Sequence, residues 1–233
     1  MRGREFAMIH PKPGQKGLSI RIKSPHAPTL MEAWDEPSLS AIVVPDGPMP
    51  QLVNTLPTVS WLGAPTDRVG WARLAAGMSF AEPMFQSKGL TPAAGAVVVE
   101  PDGRIWLVAP TNAFLNTLTT FPKGTASGLD LRATALKEVF EESGLRVELF
   151  SHLVDVTRSS SRTRYYLARR IGGNPADMCW ESQAVILAPV NSLKALLNKS
   201  YDHQVVDALL RRWDERTTWF QSNDHQKPAN SEE

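Results

Sequence analysis

Cysteine is almost missing from this chain: among 233 residues, Cys179 stands alone. An intrachain disulfide is excluded, and an intracellular, cytoplasmic setting is the expectation. Long apolar runs are missing too. The first thirty residues lack the hydrophobic stretch of a secretory leader, and nothing later reaches the roughly 20 apolar residues of a membrane-spanning helix. No membrane partner is expected. Charge of either sign is never in surplus, since 25 Lys and Arg face 24 Asp and Glu for a formal net charge of +1. That balance gives no global attraction to nucleic acid, so no nucleic-acid partner is expected either. What the chain does contain is 42% hydrophobic residues, enough to bury the core of one domain with an extension.

Two textures divide the length. Residues 1–88 are rich in proline and glycine and read as an N-terminal extension of unknown role. Short apolar runs such as Ser40 to Val44 and a Pro45-Asp46-Gly47-Pro48 turn predict a strand or two. A short helix is expected over 68–77, and Trp61 and Trp71 imply that this part packs against something. Residues 89–220 carry an αβ pattern. Ala94 to Glu100 and Arg104 to Ala109 are apolar runs joined by Pro-Asp-Gly, a hairpin signal. Further strands are expected near 146–156, 163–171 and 183–187, and helices over 192–198 and 202–219. Val205, Val206, Leu209 and Leu210 give the last helix a core-facing spacing. Residues 221–233 are polar and read as a disordered tail. The five histidines, His10, His26, His152, His203 and His225, are too scattered to form a zinc site.

The densest chemistry lies between Phe121 and Leu145. At about 100° per residue, Glu141 lies roughly 60° to one side of Glu138 and Glu142 roughly 40° to the other. The three carboxylates therefore share one helical stripe, while Ala133, Leu136, Val139 and Phe140 fall on the opposite, core-facing side. Asp130 or Ser127 can cap the start, and Gly144 sits where a left-handed residue would end the helix. Three clustered carboxylates repel one another, so a fold that holds them together calls for a cation. The plainer alternative is a solvated acidic helix face.

This segment resembles the Nudix box, which in that family follows Gly with five residues, Glu, seven residues, Arg-Glu, an aliphatic, any residue, Glu-Glu, any residue, Gly and an aliphatic. Gly124, Glu138, Val139, Glu141, Glu142, Gly144 and Leu145 match. Lys137 replaces the arginine, and the loop after Gly124 is one residue short, so either Leu129 or Asp130 stands for the first glutamate. The resemblance covers roughly residues 90–215. It implies an α/β (α+β) fold, an αβα sandwich around a mixed sheet, with the Pro/Gly-rich extension in front. It also implies a metal-dependent pyrophosphohydrolase in which Gly124, Glu138, Glu141 and Glu142 hold Mg²⁺ or Mn²⁺. Family members often recruit the catalytic base from a later loop, where Glu181 is the nearest candidate. Lysine lacks arginine's planar fork, so weakened metal affinity or rate is expected at Lys137. A catalytically weakened nucleotide-binding or regulatory module is the alternative.

The expected partner is a small-molecule phosphoanhydride. Pro122-Lys123-Gly124 resembles the branch acting on dinucleoside polyphosphates or diphosphoinositol polyphosphates, and other nucleoside diphosphate derivatives stay open. Arg158, Arg162, Arg164, Arg169 and Arg170 surround Tyr165 and Tyr166. Strand alternation places Arg162, Arg164 and Tyr166 on one face as phosphate- and base-binding candidates alongside Lys123. The competing reading is an edge strand guarded by charge, with the tyrosines in the core. As in some family members, the extension is expected to help form a homodimer.

Overall fold

A computed structural model of the chain describes residues 8–9 and 20–220. The expected disordered tail over 221–233, together with His10 and His225, lies outside the described residues. The central sheet has seven strands: β1 (Ala41–Val43), β2 (Thr91–Val99), β3 (Arg104–Pro110), β4 (Lys123–Thr125), β5 (Leu145–Thr157), β6 (Ser161–Gly173) and β7 (Ser182–Pro189). Their order is β1-β7-β3-β2-β6-β5, with β4 added to β2. Only the β2–β6 pair is parallel; every other pair is antiparallel. The sheet is thus mixed.

Period-two alternation sorts its side chains between two cores. Ala94, Ala96, Val98, Tyr166 and Ala168 face one side, where α1 (Arg68–Ala76) and α2 (Leu131–Ser143) pack through Trp71, Ala133, Leu136 and Val139. Val97, Val99, Tyr165 and Leu167 face the other side, where α3 (Ser200–Arg211) inserts Val205, Val206 and Leu209. Helices on both faces make the αβα sandwich. The β2–β3 hairpin turns at Pro101-Asp102-Gly103, where the Gly103 amide donates to the Glu100 carbonyl and Asp102 accepts from the Arg104 amide.

β6 lies inside the sheet between β2 and β5, so it is not an edge strand, although Tyr165 and Tyr166 do lie in the core as that reading had it. An edge is formed instead by β1, from the proline-rich N-terminal region, whose Val43 pairs with Val185 of β7. Two buried arginines tie that region down. Arg104 donates to the carbonyls of Ala33 and Trp34, and Arg170 donates to that of Val53 while its Nε meets Glu100 at 2.5 Å. Trp34 stacks near Trp106, and Trp61 and Trp71 close on Phe140 of α2 at 5.1 and 5.9 Å between ring centroids. Among the described residues, no helix is long and apolar enough to cross a membrane.

Candidate active site

β2 shares one edge between two partners. Its C-terminal Val98 and Val99 pair with β3, and its N-terminal Ala93 to Gly95 pair with β4. That arrangement lays Lys123 and Gly124 across the middle of α2. The Lys123 amide donates to Glu142 Oε2 at 2.8 Å. A Cβ on Gly124 would lie 2.0 Å from Glu138 Oε2, so the strand can approach this carboxylate only with glycine there.

Helix α2 is bounded by its own residues. Asp130 accepts from the Ala133 amide at the start, and Gly144 at φ +67° ends it. Leu129 packs against the core, so neither it nor the capping Asp130 reaches Lys137. Lys137 instead bonds Glu141 at 2.5 Å and Glu138 at 3.2 Å. Past the helix, the Cys179 amide donates to the Glu141 carbonyl at 2.8 Å, which docks the loop carrying Glu181 against the end of α2. The Thr111 amide and hydroxyl hold the Glu181 and Trp180 carbonyls from the other side.

The result is a cluster of Glu138, Glu142 and Glu181, with one carboxylate oxygen from each within 4.8 Å of the others. Glu138 and Glu142 are buried, so the acidic stripe is not the solvated face that its composition allowed. Burial raises the Glu138 carboxyl above its ordinary range, with the neighbouring glutamates adding to the effect and Lys137 opposing it. Burial pushes Glu142 up to about 8, against the charge and amide of Lys123. Partial burial and then the charge of Glu141 raise Glu181. Like charges this close need neutralising, and an all-oxygen donor set fits a hard divalent cation. Glu141, half-exposed, is turned to Lys137 and stands outside the three-carboxylate cluster.

Lys123, Gly124, Glu142 and Glu181 line a cleft of about 640 Å³. Its other walls include Phe114, Leu115, Trp180 and Tyr201, with Arg158, Ser159, Ser160, Ser161 and Thr163 at the β5–β6 turn. Arg164 and Tyr166 share a face, as alternation requires, but they line a separate cavity of about 380 Å³ between α1, the start of α2 and β6. There Arg164 binds Asp155 and Glu82, and the Tyr166 hydroxyl donates to Glu82. Arg162 donates to Thr157 and is not part of the cleft lining.

Sequence reasoning named Arg158 in the arginine cluster but chose Arg162 and Arg164 from it, and it missed Tyr201 and the buried Asp202 that binds Arg158. Asp202 was within reach, because it precedes Val205, Val206 and Leu209 by three, four and seven residues and so belongs to the buried face of α3. Arg158 lies before the turn, where the alternation of β6 does not apply.

The family model for the NUDIX domain matches residues 89–209, which is 121 of the 233 residues. No curated protein sequence matches the chain. Similar solved structures include an Ap4A hydrolase from C. elegans, 17% identical, covering 54% of this chain and 99% of that one at a TM-score of 0.45. An ADP-ribose pyrophosphatase from Streptococcus suis is 20% identical, covering 52% and 92% at a TM-score of 0.42. A NUDIX hydrolase from Nitrosomonas europaea is 20% identical, covering 58% and 75% at a TM-score of 0.40. On the family model's match, the chain belongs to the NUDIX family and is a hydrolase acting on pyrophosphate bonds.

Proposed function

We propose that the chain is a divalent-cation-dependent pyrophosphohydrolase, and that its substrate joins one diphosphate to a flat or apolar group. The observation that carries this reading is the Glu138, Glu142 and Glu181 cluster opening into the cleft beside Lys123. Glu138 and Glu142 would hold Mg²⁺ or Mn²⁺ with the Gly124 carbonyl, and Glu141 would join them if it left Lys137. A cation bound there would neutralise phosphate oxygens and make a coordinated water more acidic. The protein's own residues do the rest. Lys123 attracts the diphosphate, the aromatic wall shields it from water, and a Glu181 carboxylate oxygen takes the proton of the attacking water.

The cleft lining favours one substrate class among those that the sequence left open. Among the described residues that line it, Lys123 and Arg158 are the basic ones, while Phe114, Leu115, Trp180 and Tyr201 are apolar or aromatic. Two cations suit a single diphosphate better than a crowded inositol polyphosphate. One observation favours the second reading, a weakened binding or regulatory module: the 2.5 Å pair between Lys137 and Glu141 occupies a carboxylate that the box assigns to metal.

A panel of nucleoside diphosphate derivatives, dinucleoside polyphosphates and inositol pyrophosphates, each with Mg²⁺ or Mn²⁺, separates the two. Turnover that Glu142→Gln abolishes supports the enzyme. Tight ligand binding with no turnover across the panel sinks it. Glu181→Gln is expected to lower kcat by about 10²–10⁴-fold with KM little changed, as for loss of a general base.

A further inference from the structure

We infer that Arg158 is the cleft's second phosphate-binding residue, a planar clamp fixed on one side by protein and open on the other to the substrate. This role rests on the pyrophosphohydrolase reading. Arg158 follows β5 at the turn into β6, and its side chain is 10% exposed. One nitrogen carries its protein contacts: Nη1 donates to Tyr165 Oη at 3.0 Å and to Asp202 Oδ1 at 3.0 Å. The guanidinium also lies over the Tyr201 ring at 3.7 Å from its centroid.

Comparison with the buried arginines among the described residues makes the pattern informative. Arg104, Arg164 and Arg170 each use Nε and both Nη atoms in hydrogen bonds to protein, as expected of arginines that only hold the fold together. Arg158 has no such bond from Nε or Nη2 to any described residue. Neither atom is sealed away from solvent, and the two form one straight edge of the fork, open to a ligand, on a residue that borders the cleft. That edge matches two oxygens of a phosphate in the way a guanidinium binds phosphate elsewhere.

The support behind it is stiff. Asp202 is fully buried on α3 and sets the fork's orientation, while Tyr201 presses on its face. Lys123 stands beside Glu142, so the metal-binding end of the cleft already has its cation. Arg158 stands with Ser159, Ser160 and Ser161, and there it would hold the phosphate that the carboxylate cluster does not.

Calorimetry with Mg²⁺ and α,β-methylene-ADP, a diphosphate that cannot be cleaved at the bridging position, tests the assignment. The wild-type protein should bind the probe. Arg158→Lys should weaken binding at least about tenfold, because the charge stays but the two-pronged contact goes. In turnover assays KM should rise similarly while kcat stays within about threefold, a split that a merely structural defect would not give. Tyr201→Leu keeps the Asp202 pair but removes the stacking surface, and it should weaken binding about threefold. Unchanged affinity in a folded Arg158→Lys protein overturns the clamp, as does failure of the wild type to bind the probe. If Arg158→Lys does not fold, unchanged binding in Tyr201→Leu overturns it instead. Turnover that survives Glu142→Gln would overturn the hydrolase reading separately.

Discussion

At the residue scale, the tightest constraint in the site is the space above Gly124. Alanine there would place a methyl group 2.0 Å from Glu138 Oε2, so either the strand or the carboxylate must move. Gly124→Ala is expected to cut turnover about a hundredfold, since misplacing a reacting group by ~1 Å has that effect. A Mg²⁺-dependent assay checks it, with a melting curve to confirm the fold. The separate Arg164 network predicts stability instead of activity. Burial opposes ionisation of Asp155, but the Arg164 hydrogen bonds and then His152 win, holding its carboxyl well below the ordinary 3.8. A depressed carboxyl stabilises the folded state fully above its unfolded value and loses that contribution as pH falls below it. Urea unfolding at pH 6 and pH 3 should therefore show an acid-side loss that is smaller in Asp155→Asn. That variant should itself cost about 2–3 kcal/mol at pH 6, less than a fully broken buried pair, because Glu82 still meets Arg164. An equal acid-side loss in both proteins would count against the pair. Carboxylates on one helical stripe were legible from spacing alone. Arg158 was in view as one of five clustered arginines, but neither its selection over Arg162 and Arg164 nor its supports were, because a turn resets the alternation on which the strand argument depends.

At the element scale, α2 and the β2–β3 hairpin were readable because their signals are consecutive: a cap and a left-handed glycine for one, Pro-Asp-Gly for the other. The docking of α1 on α2 is another matter. Trp61 and Trp71 announced that something would cover them, but no pattern in the sequence named Phe140 as the partner. Trp71 is 4% exposed, with rings of Trp61 and Phe140 each 5.9 Å away. Trp71→Ala should destabilise the protein by about 3–5 kcal/mol through the cavity left behind, read as a lower urea midpoint with unchanged slope. The wall at 111–116 was also unforeseen in shape. Asn112, Ala113, Leu115 and Asn116 all adopt φ near +50° without being glycine, a strained path that carries Phe114 and Leu115 to the cleft. Asn112 secures it by accepting from the Lys23 amide, donating to the Arg21 carbonyl and giving its own amide to Gln183.

At the scale of the whole molecule, residues 20–88 and the rest are stitched together. β1 completes the sheet, and Arg104 and Arg170 reach carbonyls 70 and 117 residues earlier in the chain. Carbonyls have no residue identity, so no sequence pattern points to these partners. A chain beginning at residue 89 would leave both guanidinium groups without those acceptors and bare the β7 edge. It should aggregate or lose cooperative melting; a soluble fragment melting within a few degrees of the full chain would rule out this dependence.

The pairing of Val43 with Val185 also has a meaning for synthesis. A ribosome releases β1 long before it makes β7, so the N-terminal region emerges with no sheet to join. Trp34 stays uncovered until Trp106 of β3 follows, and Trp61 and Trp71 until Phe140 of α2, so closure of the N-terminal region waits for later parts of the chain.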